Sequence, residues 1–427
     1  MFLRPPCRMA AALVAAGAGL AAAAPPPARP NLLVFLADDL GAHDLGCTGS
    51  RGYSTPAIDG LAAAGMRFTR GYAASTVCSP TRAALVTGRH PARVRITNFI
   101  AGNRRGCLLP ADYLHALPEA EVTVPELLQQ AGYATGCFGK WHLGPPEGVR
   151  RHGFDTVGSN STEPGRGPPH DPLHARAIAA QAASFIETSA GRPWFCYVPM
   201  HSVHAPQTAR AELVAAEEQR LAGLPPHEGP REVPEGDRTA RAVQDLPVYA
   251  AMIRELDETV ATVLEAVERT RQSAGTVVVF TSDNGGLATA EGSPTSNLPL
   301  RAGKGYLYEG GIRVPLVIRW PGVVAAGTTC DVPVTTLDVA ATLLDAGGVR
   351  PPARKKIVEH FEDGRVELFD LAVDPGERHD LAAERPERAR ELQRRLAAWR
   401  QSVAAAMPTP NPQPVDPYGR ERLPPKK

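Results

Sequence analysis

Two apolar runs in this 427-residue chain end directly in side-chain oxygens. Leu32–Ala37 is followed by Asp38 and Asp39, and Val277–Phe280 leads through Thr281 and Ser282 to Asp283 and Asn284. An acidic pair after a strand suits a solvated loop on its own. Two such clusters together supply three carboxylates and an amide oxygen, a donor set for a hard cation such as Ca²⁺ or Mg²⁺. The cysteines form no CxxC pair and show no zinc spacing with histidine. Arg82, Lys140, His142, His204 and Lys304 form a second, cationic group. Beside a divalent cation they carry an excess of positive charge that an anionic substrate would offset, and the two histidines are of a type that moves protons near neutral pH. His201 reads better as a structural histidine. In the segment Cys78-Ser79-Pro80-Thr81-Arg82, Pro80 suits the first turn of a helix through Ala83–Val86 that stops at Gly88. Cys78 would then lie at the helix N-terminus, where unpaired N–H groups favour an anion and lower the pKa of a thiol. Taken alone, this segment fits a helix cap with an incidental cysteine equally well.

These residues need a frame that brings them together. The runs before Asp38 and Asp283 are continuously apolar, as are Phe195–Val198 before His201 and His204 and Tyr133–Phe138 before Lys140 and His142. Such runs suit strands of a parallel sheet buried on both faces, and in open α/β sheets ligands bind beyond the carboxyl ends of the strands. Tyr249, Met252, Ile253, Leu256, Val260, Val263, Leu264 and Val267 recur at helical spacing before Val277; shorter helices are predicted at Ile58–Ala62 and Val124–Ala131. The alternation indicates an α/β architecture. A balance of 46 Lys+Arg against 45 Asp+Glu gives nothing for nucleic acid or a membrane surface to recognise, so an anion site must be local. With 40 glycines and 42 prolines, long coiled coils are excluded in favour of many loops.

With these motifs on the page, the chain resembles the formylglycine-dependent sulfatases of the alkaline-phosphatase superfamily. Cys78–Arg82 is similar to their C-x-P-x-R signature, Gly139–Gly144 to their GKWHLG, and His204-Ala205-Pro206 to their H-x-P. Ser282–Gly286, Gly303–Pro315 and the closing Phe369-Asp370-Leu371 to Asp380-Leu381-Ala382 also match. The resemblance implies a mostly parallel sheet flanked by helices, with a small C-terminal α+β domain. It implies that a maturation enzyme converts Cys78 to formylglycine, whose hydrate attacks sulfur and later expels sulfate. It further implies that Asp38, Asp39, the modified Cys78, Asp283 and Asn284 hold one Ca²⁺, and that Asp283 accepts the nucleophile's proton. Arg82 would hold the nucleophile and its loop; Lys140 and Lys304 would bind sulfate oxygens. His204 with Lys304 would protonate the departing alcohol, and His142 would take a proton during sulfate elimination. The expected substrate is a sulfated small molecule or glycan. A phosphonate or phosphodiester hydrolase, or a silent carbohydrate-binding relative, is the alternative.

One departure concerns the C-terminal side. After Thr335–Leu344, family members carry a longer stretch with a D-G-x-S-L motif, whereas here Gly347–Ala353 leads almost directly to Lys355–Glu359. The expected organisation is a signal peptide over 1–24, a catalytic domain over 25–346, a shortened C-terminal subdomain over 347–406 and a proline-rich disordered tail over 407–427. The leader reading rests on Arg4 and Arg8 before the apolar run Met9–Ala24, which is shorter than a membrane span. The mature chain is therefore expected to be exported, periplasmic or secreted, without stable membrane insertion.

Overall fold

The computed structural model describes residues 29–102, 112–158, 167–236, 238–349, 355–359, 364–370 and 379–402. The leader, Cys107, the Asp374–Glu377 segment and the tail lie outside the described residues. The chain forms two compact units that meet in sequence at Val349 and Arg350. In the first, the strands are β1 (Asn31–Ala37), β2 (Met66–Tyr72), β3 (Ala134–Cys137), β4 (Thr156–Val157), β5 (Trp194–Pro199), β6 (Glu232–Glu235), β7 (Arg238–Arg241), β8 (Thr276–Ser282), β9 (Arg313–Arg319), β10 (Thr328–Cys330) and β11 (Val334–Thr335). The main sheet runs β10-β2-β9-β8-β1-β5-β3-β4, with β11 also on β2, and β6 and β7 form a separate hairpin.

The continuous apolar character of β1 follows from its central place. Leu33, Phe35 and Ala37 join a core on one face with the helices Ala175–Thr188 and Pro247–Arg269. Leu32, Val34 and Leu36 join a core on the other face with the helices Cys78–Thr87, Val124–Gln130 and Thr336–Ala346. Each of the Leu, Val and Phe side chains contributes about 1.5–3 kcal/mol on leaving water. Pro247–Arg269 begins on proline, whose fixed φ suits the first turn. It buries Tyr249, Met252, Ile253, Leu256, Val260, Val263 and Val267, the predicted stripe, while Leu264 is half-buried.

The sheet is mixed. β1 pairs in parallel with β5 and β8, and β3 with β5, as the apolar runs imply. β9 is antiparallel to both β8 and β2. It carries Pro315 inside a central strand, where a missing N–H interrupts the ladder. The register of β2 against β9 shifts between Phe68 and Gly71, so that β2 bulges opposite Pro315.

In the second unit, β12 (Lys355–Glu359) and β13 (Val366–Asp370) form an antiparallel pair, followed by the helix Pro386–Ser402. Leu368, Leu381 and Ala389 form its small core, against which Leu392 packs. Asp380 accepts the Leu368 and Ala382 amides at 2.9 Å each, fastening the Asp380-Leu381-Ala382 segment to β13.

Candidate active site

The carboxyl ends of β1, β3, β5 and β8 all point to one pole of the sheet. The β1 chain runs straight into Asp38 and Asp39; the Asp38 amide donates to Ser202 O at 2.9 Å and the Asp38 carbonyl accepts the Val203 amide at 2.7 Å. This ties the β1 sequel to the loop after β5 that carries His204. Beyond β8, Asp283 N donates to Ala37 O at 3.1 Å, and Ser282 Oγ accepts the Leu40 amide at 3.0 Å. Lys140 N, past β3, donates to Pro199 O at 2.6 Å. Backbone bonds between neighbouring strand ends thus fix four of the predicted clusters side by side.

The helix Cys78–Thr87 delivers the fifth. Val77 is its extended N-cap and Gly88 ends it in the left-handed region at φ 61°, as glycine permits. Cys78 is the first helical residue and is buried. The expected lowering of its thiol pKa is not what the environment produces. Burial pushes the thiol well up; Lys140 opposes this, while Asp283 and Asp38 reinforce it. The thiol's own burial is the largest cause, and it sets aside the lowering expected from helix position alone.

Arg82, one turn along, is fully buried. Its Nε and Nη2 donate to Asp283 Oδ2 at 2.9 and 2.6 Å, and its Nη1 donates to Lys140 O at 2.7 Å. Lys140 Nζ reaches Asp38 Oδ2 at 2.5 Å and lies 3.8 Å from Cys78 Sγ. Lys304 Nζ donates to Asp39 Oδ2 at 2.8 Å. Burial pushes Asp38 upward, but Lys140, then His204, Arg82 and Lys304, hold its carboxyl well below the usual range. Asp283, by contrast, is pushed up to about 6 by burial and by Asp38, with Arg82 opposing. The two buried carboxyls are therefore driven apart, Asp38 downward and Asp283 upward.

Asp38, Asp39, Cys78 and His204 each place a ligand-capable atom within 4.8 Å of one another. Asp38 Oδ1 and Asn284 Oδ1 are buried without a hydrogen-bond partner among the described residues, Asp38 Oδ1 lying 3.4 Å from Arg82 Nη2 as an ion pair. Asp283 Oδ1 accepts the Asp39 amide at 3.2 Å, and Asn284 Nδ2 donates to Asp39 Oδ1 at 2.8 Å. Three buried carboxylates with the Asn284 amide oxygen fit a hard cation, and three cationic side chains already balance those carboxylates. An added divalent ion would leave the site positive and in need of an anion.

His204 Nδ1 lies 2.6 Å from Ala205 O, which fixes the proton there and leaves Nε2 directed toward Asp39 Oδ2 at 3.8 Å. His142 Nε2 lies 3.3 Å from Ile100 O, and its buried Nδ1 has no hydrogen-bond partner among the described residues. Burial, Lys140 and Arg82 push His142 down to about 3, so it is a neutral imidazole with an available lone pair. His201 is fully buried, its ring 6.3 Å from that of His174.

Two contributors carry no sequence signal. Asn297 donates through Nδ2 to Gly286 O and Ala302 O at 2.9 Å and to Gly310 O at 3.2 Å, pinning the segment that holds Lys304. Glu291 lies 3.3 Å from Lys304 Nζ. The paired glycines do mark the close approach: a Cβ on Gly285 would lie 1.9 Å from Gly310 O.

The family model for Sulfatase matches residues 30–349. N-acetylgalactosamine-6-sulfatase of Canis lupus familiaris is 33% identical over 386 residues, covering 82% of this chain and 68% of the relative. Arylsulfatase A of Homo sapiens is 33% identical over 382 residues, covering 80% of this chain and 68% of the relative. The chain thus spans about two thirds of the length of these curated relatives. The crystal structure of Ps i-CgsB in complex with k-i-k-neocarrahexaose aligns with a TM-score of 0.62 at 24% identity, over 87% of this chain and 92% of that one, a likeness of fold. The matched region contains every strand-end cluster described above, and the chain belongs to the sulfatase family, sulfuric ester hydrolases of the alkaline-phosphatase-like fold.

Proposed function

We propose that this chain hydrolyses sulfate monoesters to an alcohol and inorganic sulfate, with a nucleophile derived from Cys78 and with Ca²⁺ held by Asp38, Asp39, Asp283 and Asn284, which the modified Cys78 also faces. The observation that carries this reading is the convergence of Cys78, Asp38, Asp39 and His204 within 4.8 Å, flanked by Lys140 and Lys304. A hydrated formylglycine at Cys78 supplies what a thiol raised in pKa does not: one hydroxyl for attack and a second through which sulfate is expelled. Bound Ca²⁺ supplies Lewis-acid polarisation of sulfuryl oxygens and stabilises negative charge on the nucleophile.

The protein's own groups perform the remaining work. Arg82 directs its bonds at Asp283 and Lys140 O and so holds the frame rather than the substrate. Lys140 and Lys304 present ammonium groups for sulfate oxygens. Asp283, the carboxylate that Arg82 holds with two hydrogen bonds, would accept the proton of the attacking hydroxyl. His204, its Nδ1–H committed to Ala205 O, would act as the acid in its doubly protonated form, giving the Nε2 proton to the leaving oxygen and returning to the neutral ring, and Lys304 lies beside the same Asp39 oxygen. His142, held near 3 by burial, Lys140 and Arg82, would take a proton on Nδ1 only where the departing sulfate dianion offsets those two cations.

The curated relatives include an N-acetylgalactosamine-6-sulfatase, which supports a sulfated glycan as substrate. Export follows the leader reading, and no helix among the described residues is long and apolar enough to cross a membrane. Purified protein from a host with a maturation enzyme should release nitrophenol from p-nitrophenyl sulfate, lose that activity in chelator and regain it with Ca²⁺. Faster turnover of a p-nitrophenyl phosphodiester would overturn the choice of sulfate; turnover of neither ester would overturn the enzymatic reading.

A further inference from the structure

Glu291 is an acidic side chain in a place that binds anions. Its carboxylate lies 3.3 Å from Lys304 Nζ, the ammonium that also touches Asp39 Oδ2, and it is 37% exposed at the mouth whereas Lys304 is buried. His204 Nε2 faces the same Asp39 oxygen, so Glu291, Lys304 and His204 border the region where the alcohol leaves. The backbone holds it there deliberately. Ala290–Ser293 is a tight turn closed by Ser293 N donating to Ala290 O at 2.9 Å, with Glu291 at φ 54° and Gly292 at φ 87°. The left-handed region disfavours a glutamate. Gln207 Nε2 donates to Glu291 O at 2.9 Å, and Gln207 belongs to the loop that carries His204.

Neither the cation site nor sulfate binding calls for this carboxylate, and it competes with sulfate for Lys304. Its chemistry suits the substituents next to the scissile ester: it accepts hydrogen bonds from hydroxyl or amide N–H groups and repels carboxylate or a second sulfate. We propose that Glu291 is a specificity-determining residue that selects leaving alcohols with neutral neighbouring groups against those bearing an adjacent anion. The proposal rests on the sulfate-ester reading of the same site.

The test is a ratio, which a general loss of activity does not move. For 4-nitrophenyl sulfate and 2-carboxy-4-nitrophenyl sulfate, kcat/KM is measured in the wild type, Glu291→Gln and Glu291→Asp. Glu291→Gln should raise the carboxylated ester relative to the neutral one by about tenfold, the scale of one partly screened charge. Glu291→Asp, which keeps the charge, should hold the ratio within about twofold of wild type. An unchanged ratio in Glu291→Gln, or an equal change in Glu291→Asp, would overturn the proposal. The same esters are titrated calorimetrically into Cys78→Ala and Cys78→Ala/Glu291→Gln. If the wild type turns over neither ester, the activity reading fails, and the affinity ratio alone decides the role of Glu291: a shift toward the carboxylated ester supports it and no shift refutes it.

Discussion

His204 and His142 are both imidazoles at the same pole of the sheet, and their surroundings give them opposite tasks. His204 keeps partial exposure and has one nitrogen fixed by a carbonyl, whereas His142 is buried beside Lys140 and Arg82 and stays neutral. A general acid matters in proportion to how poorly the alcohol leaves. His204→Ala should therefore cost on the order of 10²–10⁴-fold with an alkyl or sugar sulfate and much less with a nitrophenyl sulfate. Steady-state rates on both esters check this, and equal losses would show that His204 is not the acid. At this scale the sequence was highly informative, because Asp38, Asp39, Cys78, Arg82, Lys140 and Asp283 stand in short motifs at strand or helix ends and Lys304 in a Gly-Lys-Gly loop. Glu291 was invisible, since an isolated glutamate in a Gly/Ser/Pro-rich loop has no pattern to distinguish it from a solvated one. The raised pKa of Cys78 was also missed: helix position is local, but burial and the Asp283 charge come from distant parts of the chain.

At the scale of elements, the site is held by backbone bonds between neighbouring strand ends and by Asn297, a buried residue that clamps three carbonyls. Asn297→Ala leaves those carbonyls short of a donor, at about 1–3 kcal/mol for each group left unsatisfied, although Gly286 O keeps the Lys304 amide. The expected outcome is a loss of about 2–4 kcal/mol in urea unfolding together with a rise in KM, because the Lys304 segment loses its anchor. Unchanged stability would contradict the clamp. The runs that became β1, β5 and β8 were legible because strands buried on both faces have no polar alternation, and the helix Pro247–Arg269 because its stripe is long. β9 was not: Pro315 argues against a central strand, and only the compensating bulge in β2, distant in sequence, makes room for it.

For the whole molecule, the proposed catalytic groups all come from the first unit, so the proposed activity on small esters should need no group from the second. Global stability should register the buried His142. Its pKa is held near 3, against about 6.5 in an unfolded chain. Its contribution is therefore complete above pH 6.5 and is lost as the pH falls toward 3, with a slope of up to about 1.4 kcal/mol per pH unit. Between pH 6.5 and 4.5, denaturant unfolding of His142→Gln should lose stability less steeply than the wild type; parallel slopes would contradict the assignment. The central claim is that chemistry resides in a modified Cys78, and the Gly71–Arg82 tryptic peptide reports it directly. Across preparations matured to different extents, mass spectrometry of this peptide gives the fraction of Cys78 converted to the aldehyde. The account predicts that p-nitrophenyl sulfatase activity rises in proportion to that fraction and extrapolates to zero without it; full activity from protein carrying only unmodified Cys78 would contradict it.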